Sequence, residues 1–152
     1  MINQIESIIK QTKVFSCIDC GKCISSCPLV RAGLFFSPRV IMEKALLGFR
    51  FLEDRNLWLC LTCDVCSEKC PSSVRFNAFV EAIRDLAIKE GVTKYCIPCK
   101  SCGKYFATLP ILEHIKEAIK KEDVNAEYLM LCDRCRRLYI TKNIYGIDAL
   151  KV

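Results

Sequence analysis

The sequence predicts a mainly α chain, with a helical domain over residues 1–91 and a small α+β domain over residues 92–152. Three observations lead there. Thirteen cysteines crowd a chain of 152 residues. Eight of them form two copies of one spacing, C-x2-C-x2-C-x3-C-P, set among amphipathic helical stripes. The remaining five fall in a tail whose apolar runs are short, as in strands.

Each element follows in order. Ile2, Ile5, Ile8 and Ile9 recur at helical spacing and predict a first helix. The first cysteine copy runs from Cys17 to Pro28. Ser37-Pro38 then supplies an N-cap and a first-turn proline. Met42, Ala45, Leu46, Phe49 and Leu52 mark one face of the helix that follows, and Glu53 to Asn56 close it in a polar turn. The second copy runs from Cys60 to Pro71. Ser73 is placed to cap a helix whose stripe is Phe76, Phe79, Val80, Ile83 and Ala87, with Gly91 to end it. These stripes read as ordinary core packing. Beyond the boundary near residue 92, Lys104 to Thr108, Glu127 to Leu131 and Leu138 to Thr141 read as strands. A helix begun by Pro110 interrupts them, with Ile111, Leu112, Ile115, Ala118 and Ile119 on one side.

The cysteines decide the class of chemistry. Tight two- and three-residue spacings suit metal centres better than a disulfide network. The N-terminus lacks a basic start, an apolar stretch and a cleavage site, so a reducing, cytoplasmic setting is expected. No stretch approaches the roughly 18 apolar residues of a membrane span. The formal charge of +6 could point to nucleic acid. Metal-bound cysteines are thiolates, however, and each four-thiolate centre would carry about −2, so three centres would offset that excess.

Three cysteines at two-residue intervals can wrap three corners of a 4Fe–4S cube. The fourth, followed by proline, is biased towards an extended backbone that carries the chain away. In two-cluster ferredoxins of this spacing the fourth cysteine serves the other cube. The expected ligands are therefore Cys17, Cys20, Cys23 and Cys70 for the first cluster, and Cys60, Cys63, Cys66 and Cys27 for the second. Every iron then has a thiolate, which favours electron transfer over substrate chemistry. Gly21 suits a close backbone approach or a positive φ.

In the tail, Cys99-x2-Cys102-Gly103 and Cys132-x2-Cys135 read as two knuckles of a closed four-sulfur structural site, zinc first and rubredoxin-type iron second. Cys96 reads as a buried thiol, or as a ligand in place of Cys102. His114, the one histidine, reads as a solvated helix residue. Arg134, Arg136, Arg137 and Lys142 offset the zinc thiolates more simply than they bind nucleic acid.

The stretch from Cys17 to Leu86 resembles the C subunit of heterodisulfide reductase. The shared features are the two quartets, the helix Arg39-Val-Ile-Met-Glu-Lys-Ala-Leu-Leu-Gly48, the run Leu57-Trp58-Leu-Cys60-Leu-Thr-Cys63, and the helix after Pro71. The resemblance implies an α-helical ferredoxin fold with two 4Fe–4S clusters. It implies an electron relay between a flavoprotein and a protein like the B subunit of heterodisulfide reductase, which holds the catalytic centre, so no catalytic residue is expected here. Residues 92–152, a zinc-ribbon-like segment, depart from that pattern and read as a docking module. The alternative function is a free-standing ferredoxin or redox-responsive regulator whose zinc module binds nucleic acid or protein. A thiol–disulfide enzyme ranks last, because ligation occupies its thiols.

Overall fold

A computed structural model describes residues 2–119 and 126–146. The mainly α class expected from the sequence is what is found. The chain divides into two compact units, Met1–Lys94 and Tyr95–Val152.

The first unit is helical. Its elements are α1 (Ile2–Thr12), a 3-10 turn (Val14–Ser16), α2 (Lys22–Ser25), α3 (Pro28–Arg31), α4 (Pro38–Leu46), α5 (Arg55–Leu59), α6 (Val65–Glu68) and α7 (Phe76–Lys89). The longest of these, α7, is the spine. It buries Phe76, Phe79, Val80, Ile83, Leu86 and Ala87, and packs against α1, α5 and α6. Phe79 is fully buried, with ring centroids 6.4 Å from Phe51 and 6.1 Å from Phe76. Trp58 closes the core, and its Nε1 donates to the Leu52 carbonyl at 2.8 Å. Gly91 ends α7 as expected, with the Val92 N–H reaching back to the Ala87 carbonyl at 2.8 Å.

Three local expectations are corrected. The helix begun at Ser37-Pro38 is capped as foreseen, Ser37 accepting from the Val40 N–H at 3.4 Å, but it stops at Leu46 and not near Leu52. Gly48 takes φ +70° and lets the Phe49 N–H bond to the Lys44 carbonyl at 3.0 Å, which closes the end. Phe49 is then 60% exposed and Phe51 takes the core position. The polar turn at Glu53 to Asn56 begins another helix: Asp54 caps α5 by accepting from the Asn56 N–H at 2.9 Å and pairs with Lys44. Ser73 does not cap α7; it sits at φ +55°, and Arg75 stands at the cap position. There the Arg75 N–H donates to the Thr12 carbonyl at 3.0 Å, tying the start of α7 to the end of α1.

The second unit has one antiparallel hairpin among its described residues, β1 (Cys96–Pro98) with β2 (Tyr105–Thr108), in the register Cys96↔Thr108, Ile97↔Ala107 and Pro98↔Tyr105. Then follow α8 (Leu109–Ile119), a 3-10 turn (Ala126–Met130) and α9 (Asp133–Tyr145). The strand expected over Lys104 to Thr108 is present as β2. Those expected over Glu127 to Leu131 and Leu138 to Thr141 are not strands: the first is the 3-10 turn and the second lies inside α9. A short run of branched and aromatic residues carries a strand signal. Here that run continues a helix started at the Cys132 knuckle, and Tyr139 and Ile140 face solvent at 42% and 37% exposure. No helix among the described residues is long and apolar enough to cross a membrane.

Candidate metal centres

The two cysteine copies fold alike. In each, the chain takes a positive φ at the residue before the second cysteine (Asp19 at 52°, Thr62 at 50°) and again just after it (Gly21 at 74°, Asp64 at 67°). A one-turn helix follows, α2 or α6, and the two lie against each other. Gly21 thus meets the positive-φ expectation, and no heavy atom of the protein lies within 4 Å of an added Cβ there.

The consequence is a pair of thiol-lined pockets. One gathers Cys17, Cys20 and Cys23 from the first copy with Cys70 from the second. The other gathers Cys60, Cys63 and Cys66 with Cys27. Cys66 also reaches the wall of the first pocket. The chain's exit after each prolyl-linked cysteine carries that thiol to the neighbouring loop. Electrostatics groups the thiols in the same way. Partial burial pushes the Cys23 thiol up, and so do the charges of Cys17, Cys20 and Cys70. Burial pushes Cys60 up, opposed by the Thr62 N–H and Arg84, with Cys27 and Cys63 adding to the rise. Cys66 is pushed up to about 12, by burial first, then by Cys60, Cys63 and more weakly by Cys23. Clustered thiolates repel in a low dielectric, so without metal the thiols hold their protons, and a cationic core would relieve the repulsion in their place. An all-thiolate donor set of this kind suits soft metals and iron–sulfur cores.

Backbone donors are already in place. The Thr62 N–H points at the Cys60 sulfur and the Val74 N–H at the Cys70 sulfur, each at 3.4 Å. Reading the sequence missed Arg84. From α7 its Nε and Nη2 donate to the Leu57 carbonyl at 3.1 and 2.7 Å, and Nη2 also donates to the Cys60 carbonyl at 2.8 Å. It further lies over the Trp58 ring, 5.7 Å from the centroid. It anchors the second loop to the spine. The available signal was a cation beside the apolar stripe of Val80, Ile83 and Ala87.

In the second unit, the four sulfurs of Cys99, Cys102, Cys132 and Cys135 all lie within 4.8 Å of one another. Among the described residues this is the group compact enough for a single ion. Tetrahedral Zn–S bonds of about 2.3 Å imply sulfur–sulfur edges of about 3.8 Å, and Cys102 and Cys132 are 3.7 Å apart. Cys99 and Cys102 come from the hairpin loop, where the Gly103 N–H donates to the Cys99 carbonyl at 2.9 Å. Cys132 is the N-cap of α9 and Cys135 lies in its first turn, a place where the helix dipole favours a thiolate. The Cys132 N–H donates to the Cys99 sulfur at 3.3 Å. That bond, with help from the Cys102 and Ser101 N–H groups, lowers the Cys99 thiol to about 6. Ser101 favours the Cys135 thiolate, but Cys132, burial and the other two thiols push it up to about 12. Cys96 stands apart, buried in β1 opposite Thr108. His114 is exposed on α8.

Arg136 is committed internally. Its Nε and Nη2 donate to the Tyr128 and Leu131 carbonyls at 3.2 and 3.1 Å, and it lies 5.9 Å from the Tyr128 ring centroid. Arg137 pairs with Asp133. An apolar groove of about 1080 Å³ opens elsewhere on the first unit, lined by Ile2, Ile5, Phe15, Phe49 and Leu52 among others.

Residues 13–74 match the model of the 4Fe-4S dicluster domain. The chain is 37% identical over 92 residues to the iron–sulfur C subunit of the CoB--CoM heterodisulfide reductase of Methanopyrus kandleri, covering 57% of this chain and 47% of that one. It is 39% identical over 77 residues to the C2 subunit of the H(2)/formate:CoB-CoM heterodisulfide,ferredoxin reductase of Methanococcus maripaludis, covering 50% and 41%. A protein of Archaeoglobus profundus described as like the heterodisulfide reductase C subunit is 33% identical over 92 residues, covering 57% and 49%. The chain spans about half the length of the curated relatives it matches. Over its N-terminal half, then, this chain carries a 4Fe-4S dicluster region similar to the iron–sulfur C subunit of heterodisulfide reductases.

Proposed function

We propose that the chain relays electrons through two 4Fe–4S clusters as the iron–sulfur component of a heterodisulfide-reductase-like complex. The observation that carries this is the pair of thiol pockets, each with three cysteines of one loop and the fourth of the other. Cys17, Cys20, Cys23 and Cys70 hold one cluster; Cys60, Cys63, Cys66 and Cys27 hold the second. When bound, each cluster takes up and gives back one electron. The residues of this chain do the rest. The Thr62 and Val74 N–H groups donate to ligand sulfurs and ease reduction. Cys66, which lines both pockets, marks the short way between the centres.

Cys99, Cys102, Cys132 and Cys135 hold one structural zinc ion. Four protein ligands leave no open position, so the site organises its domain and does no hydrolysis. Residues 1–91 and 92–152 act as the two domains. The partners are a flavoprotein and a protein like the B subunit of heterodisulfide reductase, in the cytoplasm. The exposed groove of the first unit, with Phe15 and Phe49 each 60% exposed, supports a role bound to other proteins. The commitment of Arg136 to backbone carbonyls counts against a nucleic-acid-binding regulator.

The test is anoxic purification with metal analysis and electron paramagnetic resonance. About eight irons and one zinc per chain are expected, with reducible clusters. A flavoprotein and a second, cysteine-rich protein should copurify. A carefully anoxic preparation without iron refutes the proposal.

A further inference from the structure

The two cysteine loops are alike in backbone and unlike in charge. The position after the second cysteine is left-handed in both, Gly21 in the first loop and Asp64 in the second. Glycine takes that conformation freely; aspartate is one of the few other residues that tolerates it. Asp64 is thus a charge added where the fold asks only for a left-handed residue. Among the described residues its Oδ1 is buried with no hydrogen-bond partner, and Asp64 is the one charged residue of those described that lines the pocket of Cys27, Cys60, Cys63 and Cys66. The other pocket is lined instead by Lys22, Arg39 and Asp19, the last two 3.8 Å apart.

Burial points the same way. Two thiols of the second quartet, Cys27 and Cys60, are 6% and 8% exposed while Cys63 is open, whereas none of Cys17, Cys20, Cys23 and Cys70 is buried. Reduction adds a negative charge to an already anionic centre. Water and net positive neighbours favour that addition; a dry pocket and a carboxylate oppose it. Arg84 works against the trend from behind the Cys60 carbonyl, but it does not line the pocket, whereas Asp64 does. The net positive lining and the greater exposure of the first pocket then set the balance.

We propose that Asp64, standing where the first loop has Gly21, holds down the electron affinity of the second cluster, so that in half-reduced protein the electron rests on the first. This rests on the two-cluster reading above and adds an order to it. The transfer moves one electron from the centre at Cys60, Cys63, Cys66 and Cys27 to that at Cys17, Cys20, Cys23 and Cys70. No bond or proton changes hands.

The experiment uses the full-length, iron-loaded chain under anoxic conditions, reduced by one electron per chain with dithionite. Paramagnetic NMR of the cysteine Hβ protons, assigned by selective labelling, shows which quartet carries the electron. The signals of Cys17, Cys20, Cys23 and Cys70 are expected to take the reduced pattern. Asp64→Asn keeps a residue that tolerates the left-handed backbone. It should make the second cluster easier to reduce, moving the electron's distribution towards it by about tenfold. Gly21→Asp places the carboxylate in the first loop, where an added Cβ meets nothing within 4 Å. It should make the first cluster harder to reduce by a similar factor, so a carboxylate added to the first loop moves the electron towards the second quartet just as one removed from the second loop does. An electron resting on the second quartet in the unaltered protein overturns the proposal, as does an Asp64→Asn shift under about twofold. Iron well short of about eight per chain defeats the two-cluster reading and this inference with it; full iron with the wrong order defeats the order alone.

Discussion

Replacing Arg84 by Met should loosen the second cysteine loop and destabilise the first unit together. The guanidinium makes three contacts, to the Leu57 carbonyl at 3.1 and 2.7 Å and to the Cys60 carbonyl at 2.8 Å. It also sits 5.7 Å from the Trp58 ring centroid. A hydrogen bond from a charged donor contributes about 1.5–3 kcal/mol. The two bonds to Leu57 share one acceptor, and the side chain is only half-buried, so the three do not add. Methionine keeps the stem packing against Trp58 but leaves both carbonyls without this donor. The expected loss is about 2–4 kcal/mol, or a fall of about 10–20 °C in the melting temperature of a unit this size. The assay is thermal unfolding of anoxic, iron-loaded protein followed by circular dichroism. Iron release to a chelator, read in parallel, should quicken. Arg84→Lys should recover only part of the loss, because an ammonium cannot fork between two carbonyls in the same way. A melting temperature within about 3 °C of the unaltered protein, with unchanged iron release, would refute the anchoring role.

Three further outcomes are expected. Cys70→Ser should strip the first cluster and spare the second, and Cys27→Ser the reverse, each taking iron from about eight to about four per chain; if either variant keeps both clusters redox-active, the crossed ligation is wrong. Phe79→Ala, in the fully buried cluster with Phe51 and Phe76, should cost about 3–5 kcal/mol by denaturant unfolding of the iron-loaded chain, and a cost under about 1 kcal/mol would mean that this core is misplaced. At the four-sulfur group of the second unit, Cys99 has its thiol lowered from 9.0 to about 6, so its contribution to folding is fully present above pH 9.0 and is lost as pH falls through about 6. Zinc titrated into the metal-free second site at pH 7.5 should therefore displace fewer than ~four protons, and its affinity should fall as pH drops, more steeply below about 6; calorimetry in buffers of different ionisation heat reads the count, and a pH-independent affinity contradicts the assignment.

The grouping of the cysteines was legible in the sequence because ligand spacing is a local property. Three thiols at two-residue intervals and a prolyl exit can be read without knowing what lies across the fold. The stripe of α7 was legible for the same reason, since a 3.6-residue period reports its own buried face. The helix after Ser37 was read correctly at its start and wrongly at its end. The apolar residues Phe49 and Leu52 continued the period by chance, and Gly48 overrode them with a left-handed closure. In the tail, Leu138 to Thr141 have strand-like side chains, yet a helix begun at the Cys132 knuckle runs through them. Propensity over four residues is too weak to oppose that start.

The linear sequence alone determined which cysteines are spaced as metal ligands and roughly which stretches coil, because both depend on neighbours a few positions away. Only the tertiary structure decided that α2 meets α6, that Arg84 reaches back to Leu57 and Cys60, and that Asp64 lines a pocket facing no partner. Those facts join positions far apart along the chain. They are set by how the buried face of α7 packs against the rest of the first unit, and no local period or spacing carries that information.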